Sequence, residues 1–182
     1  EDTLCLIARC HKDNGDEALR NKVFSEAERD YRESIIYYKR AYDLAEDRFP
    51  GINVATLQLV LASVLALECH NRGDVLGTEV ERLQKDSSNM ADQVLQSRDQ
   101  WQARLADDNI WMRSTEAEAR LLQQEWASAA GLYRASLKQD NVESFHIDSM
   151  RSQAERIVSA FTALGVAVGK EMADLDAIFR KP

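Results

Sequence analysis

Pro50 is the only proline before the terminal Pro182, and the 182 residues contain just 7 Gly. Tight turns draw on Gly, Pro, Asn and Asp, so a chain this poor in the first two is badly supplied for a strand-rich fold. Ala, Leu, Glu, Gln and Arg fill the long stretches between the few breakers, and these are strong helix formers. The expected fold class is all-α, an irregular antiparallel array of about 8–9 helices.

Hydrophobic spacing divides that array. A first helix is predicted over about Thr3 to Asp13, with Gly15 as its breaker. Residues 14–30 read as a charged insertion, most simply a solvated loop: Asp13 to Glu33 carries 7 acids against 4 bases. A second helix covers about Ala27 to Glu46, placing Tyr31, Ile35, Tyr38 and Tyr42 on one face. Phe49-Pro50-Gly51 is expected to turn the chain into a third helix over about Asn53 to Asn71. Gly73-Asp74 should end it. The run Ile52 to Leu67 is broken by Asn53, Thr56, Gln58 and Ser63, and reads as a buried helix too short and too polar to span a membrane. A fourth helix is expected to end near Lys85. Ser87-Ser88-Asn89 should cap a fifth to about Arg104, and Asp107 or Asp108 a sixth to about Gln124. Trp126 to Lys138, Ser144 to Leu164 and Gly169 to Phe179 complete the series, read as a single helical repeat domain over 1–182.

The segment Trp111 to Asn141 shows how the helices pair. Ala117 takes a small position on one helix, Trp126 opens the next, Ala129 sits where the pair crosses, and Tyr133 follows one turn later. Small residues at crossings and large ones between pairs, on a period of about 34 residues, are the pattern of tetratricopeptide arrays.

A narrower resemblance follows from A-R-C-H-K-D (Ala8 to Asp13), Y-Y-K-R-A-Y-D-L (Tyr37 to Leu44) and F-P-G-I-N-V-A-T-L (Phe49 to Leu57). In that order these are similar to the TRAFs-binding domain of the apoptosis signal-regulating MAP kinase kinase kinases, which also occurs in bacterial tetratricopeptide proteins. The similarity runs from about Leu4 to beyond Phe161. It implies a helical regulatory scaffold beside other domains. The sequence itself contains no G-x-G-x-x-G, H-R-D or D-F-G, so the kinase motifs are not part of it. A chain beginning at Glu1 without a methionine is expected to be a piece of something larger.

Composition narrows the partners. The 23 basic and 31 acidic residues leave a net charge of −8. No basic stripe is in view, and a nucleic acid duplex is not expected as a partner. Three cysteines, Cys5, Cys10 and Cys69, suit a reducing, cytoplasmic setting rather than a disulfide framework. The pairs Cys10-His11 and Cys69-His70 do not suggest zinc, because adjacent helical residues point about 100° apart. No cofactor, metal, catalytic residue or membrane association is expected.

The expected function is therefore a non-catalytic interaction and regulatory module of a signalling or defence protein, binding a protein or a neighbouring domain, with homo-oligomerisation open. An alternative is carried by Arg9, Lys12 and Asp13, at i, i+3 and i+4 on one helix. With Arg40 and a helix start at Gly51 and Asn53, these would make a basic, N–H-lined pocket for a nucleotide. The bacterial relatives, which resemble components of nucleotide-dependent defence systems, imply that role. The plainer account pairs Arg9 and Lys12 with acids and leaves Asn53 as a cap.

Overall fold

The computed structural model describes residues 1–74, 77–98, 100, 110–140 and 142–180. Those residues form helices and no strand: α1 (Asp2–Arg20), α2 (Phe24–Ala45), α3 (Arg48–Arg72), α4 (Thr78–Gln96), α5 (Ile110–Leu122), α6 (Trp126–Ser136), α7 (Ser144–Ala163) and α8 (Leu175–Phe179). The chain divides into two compact units, Glu1–Met90 and Ala91–Pro182.

In the first unit α1 and α2 form a hairpin closed by Asn21, Lys22 and Val23. Lys22 takes a left-handed backbone there, at φ 60°. Ala8, Gly15 and Ala18 are the buried positions of α1, and Ala27, Tyr31, Ser34, Tyr38 and Ala41 lie along the buried side of α2. Small residues let the two backbones come close, and the Ser34 hydroxyl donates to the Ala8 carbonyl at 2.7 Å. Tyr31 and Tyr38 are both 1% exposed, so these two members of the predicted tyrosine face are core, while Ile35 and Tyr42 are half-buried.

Gly15 is not a breaker. It sits inside α1, and a Cβ there would meet Tyr31 Cε1 at 2.8 Å. Residues 14–30 are correspondingly not a loop: they finish α1 and begin α2, with only the 21–23 turn between. The charges misled because most of them lie on the open sides of two helices, Asp30 being the buried exception. Gly15→Ala gains about 1 kcal/mol of helix propensity. It also pushes on a ring whose hydroxyl is tied to Asp16 at 2.8 Å. A net loss of about 1–2 kcal/mol is expected in urea unfolding; a more stable variant would mean that the ring yields freely.

The turn predicted at Phe49-Pro50-Gly51 lies earlier. Glu46 is left-handed at φ 48° and Asp47 caps α3, its side chain accepting from the Phe49 N–H. Pro50 then falls in the first turn, where a helix needs no donor from it. The Gly73 end is as expected, left-handed at φ 71° with the Asp74 N–H returning to the Cys69 carbonyl.

α3 is buried on nearly every side, with Val54, Leu57, Leu59, Leu61 and Val64 all 2% exposed or less. By length and composition it would pass as a membrane-spanning helix, which corrects the view that it is too short and too polar. Its most apolar window is 72% buried by protein. A helix apolar all round is what a core position demands.

Thr78–Gln96 is one continuous helix, so Ser87-Ser88-Asn89 caps nothing. Ser87 is buried instead and donates to the Ala55 carbonyl at 2.7 Å. The expected end of a fifth helix at Trp101 to Arg104, and the caps Asp107 and Asp108, lie outside the described residues.

In the second unit α5 and α6 form the hairpin predicted from Trp111 to Asn141. Ala117, Ala119, Ala129, Ala130 and Tyr133 are all fully buried. α7 packs on α5, and α8 packs on α6 and α7. Tyr133 meets Phe179 edge to face with ring centroids 5.1 Å apart. The last helix is shorter than expected. Gly165, at φ 74°, ends α7. Gly169 to Ala173 turns rather than winds, and the Asp174 side chain caps α8 by accepting from the Ala177 N–H.

Candidate functional site

The residues proposed for a basic pocket fall into three settings. Arg9 is exposed on α1 and reaches Asp13 at 3.9 Å. Lys12 lies between two carboxylates, 2.6 Å from Asp13 and 3.4 Å from Asp16, with its side chain only 15% exposed. Both cations are thus partnered by acids of their own helix, as ordinary i, i+4 pairing provides. Asp16 also accepts from the Tyr31 hydroxyl, so the Lys12 arrangement is tied to the α1–α2 core.

Gly51 and Asn53 are not at a helix entrance. The Gly51 N–H already donates to the Asp47 carbonyl at 3.3 Å. Asn53 is 4% exposed, and its Nδ2 donates to the Phe49 carbonyl at 2.8 Å. The backbone groups expected to receive an anion are therefore internal to α3, and the helix begins a turn earlier at the Asp47 cap.

Arg40 belongs to a group that sequence reading did not assemble. His11 of α1 stacks on Tyr37 of α2, with centroids 5.7 Å apart and planes 7° apart. The Arg40 guanidinium lies 5.9 Å from the centroid of the same tyrosine ring. On its other edge His11 Nδ1 meets Asp30 Oδ1 at 3.1 Å, and Arg29 holds Asp30 Oδ2 at 2.8 Å. Asp30 is only 6% exposed. Burial alone would raise its pKa, but the hydrogen bonds and charges of His11 and Arg29 outweigh it and hold the carboxyl below its usual range. Asp30 thereby fixes the imidazole through Nδ1 and leaves Nε2 as the nitrogen that it does not use. The result is a polar–aromatic surface across the α1–α2 hairpin: Asp30, His11, Tyr37 and Arg40. Tyr37 is one position off the tyrosine face, and that offset was the only local signal.

The second unit buries acids. Glu116, 9% exposed, pairs with Arg98 at 3.2 Å. Glu118, 6% exposed, accepts from the Ser114 hydroxyl at 3.1 Å. Burial pushes the Glu118 carboxyl up to about 7, against the opposing pull of the Ser114 hydrogen bond and the Arg156 charge. Tyr133, buried nearby in the field of Glu118, is pushed well above the ordinary phenol value, again chiefly by burial. Its hydroxyl has no hydrogen-bond partner among the described residues.

Residues 1–58 match the family model described as TPR-S, Tetratricopeptide Repeats-Sensor. The matched span covers α1, α2 and the opening of α3, and so includes the whole Asp30–His11–Tyr37–Arg40 group. No curated protein and no solved structure matches the chain. The match supports tetratricopeptide-like repeats, which as a class mediate protein–protein interaction. It does not reach the narrower kinase-associated domain.

Proposed function

We propose that this chain is a non-catalytic sensor and regulatory module of a signalling protein, which binds a protein partner or a neighbouring domain through its helical hairpins and passes that contact to an attached effector. The observation that carries this reading is the sensor-repeat match over residues 1–58, which coincides with the hairpin that displays His11, Tyr37 and Arg40 together. Ile36 and Leu44, 50% and 71% exposed on the same helix as Tyr37, add apolar area that a partner would cover. The kinase-associated scaffold that the sequence resembles is one form such a protein would take.

The test is site-specific photo-crosslinking from Leu44 in the full chain, in the cells that make it, comparing wild type with Tyr37→Ala and Arg40→Glu. One discrete partner is expected, with its yield cut about tenfold by either substitution, the effect of losing an interface anchor. A chain that crosslinks to nothing from Leu44, and stays monomeric at all concentrations, would remove this reading.

A further inference from the structure

Trp111 stands in the first turn of α5, and Phe145 and His146 stand in the first turn of α7. Because these two helices pack together, their N-terminal turns bring three rings into mutual contact. The centroids of Trp111 and Phe145 are 5.8 Å apart, Trp111 and His146 5.1 Å, and Phe145 and His146 4.0 Å. Yet the group is not closed over: Trp111 is 36% and Phe145 55% exposed. Touching aromatics left open to water are characteristic of binding surfaces, since ring faces recover their burial when a partner covers them.

The sequence on either side of Phe145 is chiefly acidic. Asp140 and Glu143 precede Phe145, and Asp148 follows it at i+3, where it flanks the ring on the helix surface. Residues 138–148 hold those three carboxylates against the single base Lys138. The Nδ1 of His146 accepts from the Glu143 N–H at 3.0 Å, which ties its ring to the start of α7. The Glu143 carboxylate in turn accepts from the His146 backbone N–H, completing a capping box. That pairing already occupies the positive end of α7, which leaves no claim there for an anion. Ser149, exposed at i+4 from Phe145, is a small neighbour that does not screen the ring from an incoming side chain.

We propose that this aromatic, acid-flanked patch docks a basic segment of a partner protein, with an arginine or lysine lying across Trp111 and Phe145 and neighbouring positive charges facing Asp140 and Asp148. Ring faces attract cations, and desolvation strengthens that attraction. A second copy of this chain suits the patch poorly, because its net charge of −8 brings like charges together. The inference rests on the reading of the chain as a partner-binding module and names the chemistry of the partner.

The experiment uses the full chain and two fluorescein-labelled peptides. One alternates arginine and leucine; the other carries citrulline, an uncharged isostere, in place of every arginine. Anisotropy is expected to show the arginine peptide binding about tenfold more tightly or better. Phe145→Ala and Asp148→Lys should each weaken it about fivefold or more, with helical circular dichroism unchanged. Both substitutions are at exposed positions, so loss of fold does not stand in for loss of binding. Equal affinity for the two peptides, or arginine-peptide binding untouched by both substitutions, would overturn the proposal. So would self-association abolished by Phe145→Ala, which would assign the patch to a second copy. If the peptide arms fail while the Leu44 crosslink persists, the patch falls and the module reading stands. A peptide success without any crosslinked partner from Leu44 supports the patch and counts against the placement of binding on the first hairpin.

Discussion

Glu118→Gln is expected to stabilise the protein at pH 8 by about 3 kcal/mol and to have little effect at pH 4.5. The size follows from a carboxyl raised from 4.5 to about 7 in the fold, at ~1.4 kcal/mol per unit. The sign follows from proton uptake. Above about pH 4.5 the unfolded chain carries Glu118 ionised, whereas the fold keeps it protonated until about pH 7. Folding therefore takes up a proton across that window, and stability falls as pH rises through it. The charged groups in its field are Arg156, which favours the ionised form, and Tyr133, which stays neutral. Glutamine keeps the shape and the Ser114 neighbour and cannot ionise. Urea midpoints for wild type and variant, taken from pH 5 to pH 8, should diverge by roughly 1.4 kcal/mol per unit up to neutrality. Parallel curves would show that Glu118 is solvated or better paired than its burial requires.

Gly169→Ala is the second substitution with a large expected effect. A Cβ at this position would lie 2.4 Å from Trp126 Cδ1, 2.5 Å from Cγ and 2.7 Å from Cβ. Two of these atoms are in the root of the side chain, so a rotamer change at the ring end cannot relieve the overlap. Trp126 is also held by Phe161, edge to face at 5.4 Å between centroids. The 165–174 segment or the start of α6 must shift, at a cost of ~3 kcal/mol. That corresponds to a melting temperature lower by roughly 6–12 °C for a chain of this size. The double variant Gly169→Ala/Trp126→Ala should lose less than the two single losses added together, because the two tightest contacts, to Cδ1 and Cγ, disappear with the ring and only the 2.7 Å contact to Cβ remains. Strict additivity would mean that the glycine contributes only backbone freedom.

Much of the fold was legible in the residues because helix formation is read from near neighbours. The tyrosine face of α2, the apolar run of α3, the left-handed stop at Gly73 and the α5–α6 hairpin with Ala117, Ala129 and Tyr133 all depend on spacings of one or two turns. The failures have a common cause. Gly15 has the local signature of a breaker, but Tyr31, sixteen positions later, needs the space of its missing side chain. Pro50 and Gly51 resemble a turn, yet the Asp47 cap two residues before Phe49 had already started the helix. Ser87 has the propensity of a cap and is consumed by Ala55, on another helix.

The candidate site was less legible than the fold, for the same reason in stronger form. Arg9, Lys12 and Asp13 were correctly placed on one helical side, but spacing along a helix cannot tell a cation open to a ligand from one held by Asp13 and Asp16. Asn53 could be a cap or a buried donor to Phe49, and the choice depends on where α3 begins. His11 with Asp30 and Tyr37, and Trp111 with Phe145 and His146, unite residues 19 to 35 positions apart and leave almost no local trace.

The scarcity of proline and glycine thus determined that this chain is helical, and the spacing of Ala117, Ala129 and Tyr133 that one hairpin pairs through small residues. Backbone propensity is a local quantity, and a few residues suffice to express it. Tertiary structure alone decided which of the seven glycines are contacts rather than turns, and which polar groups are spent on the fold. Burial, capping and ion pairing are properties of two surfaces brought together, and no single stretch of sequence contains both.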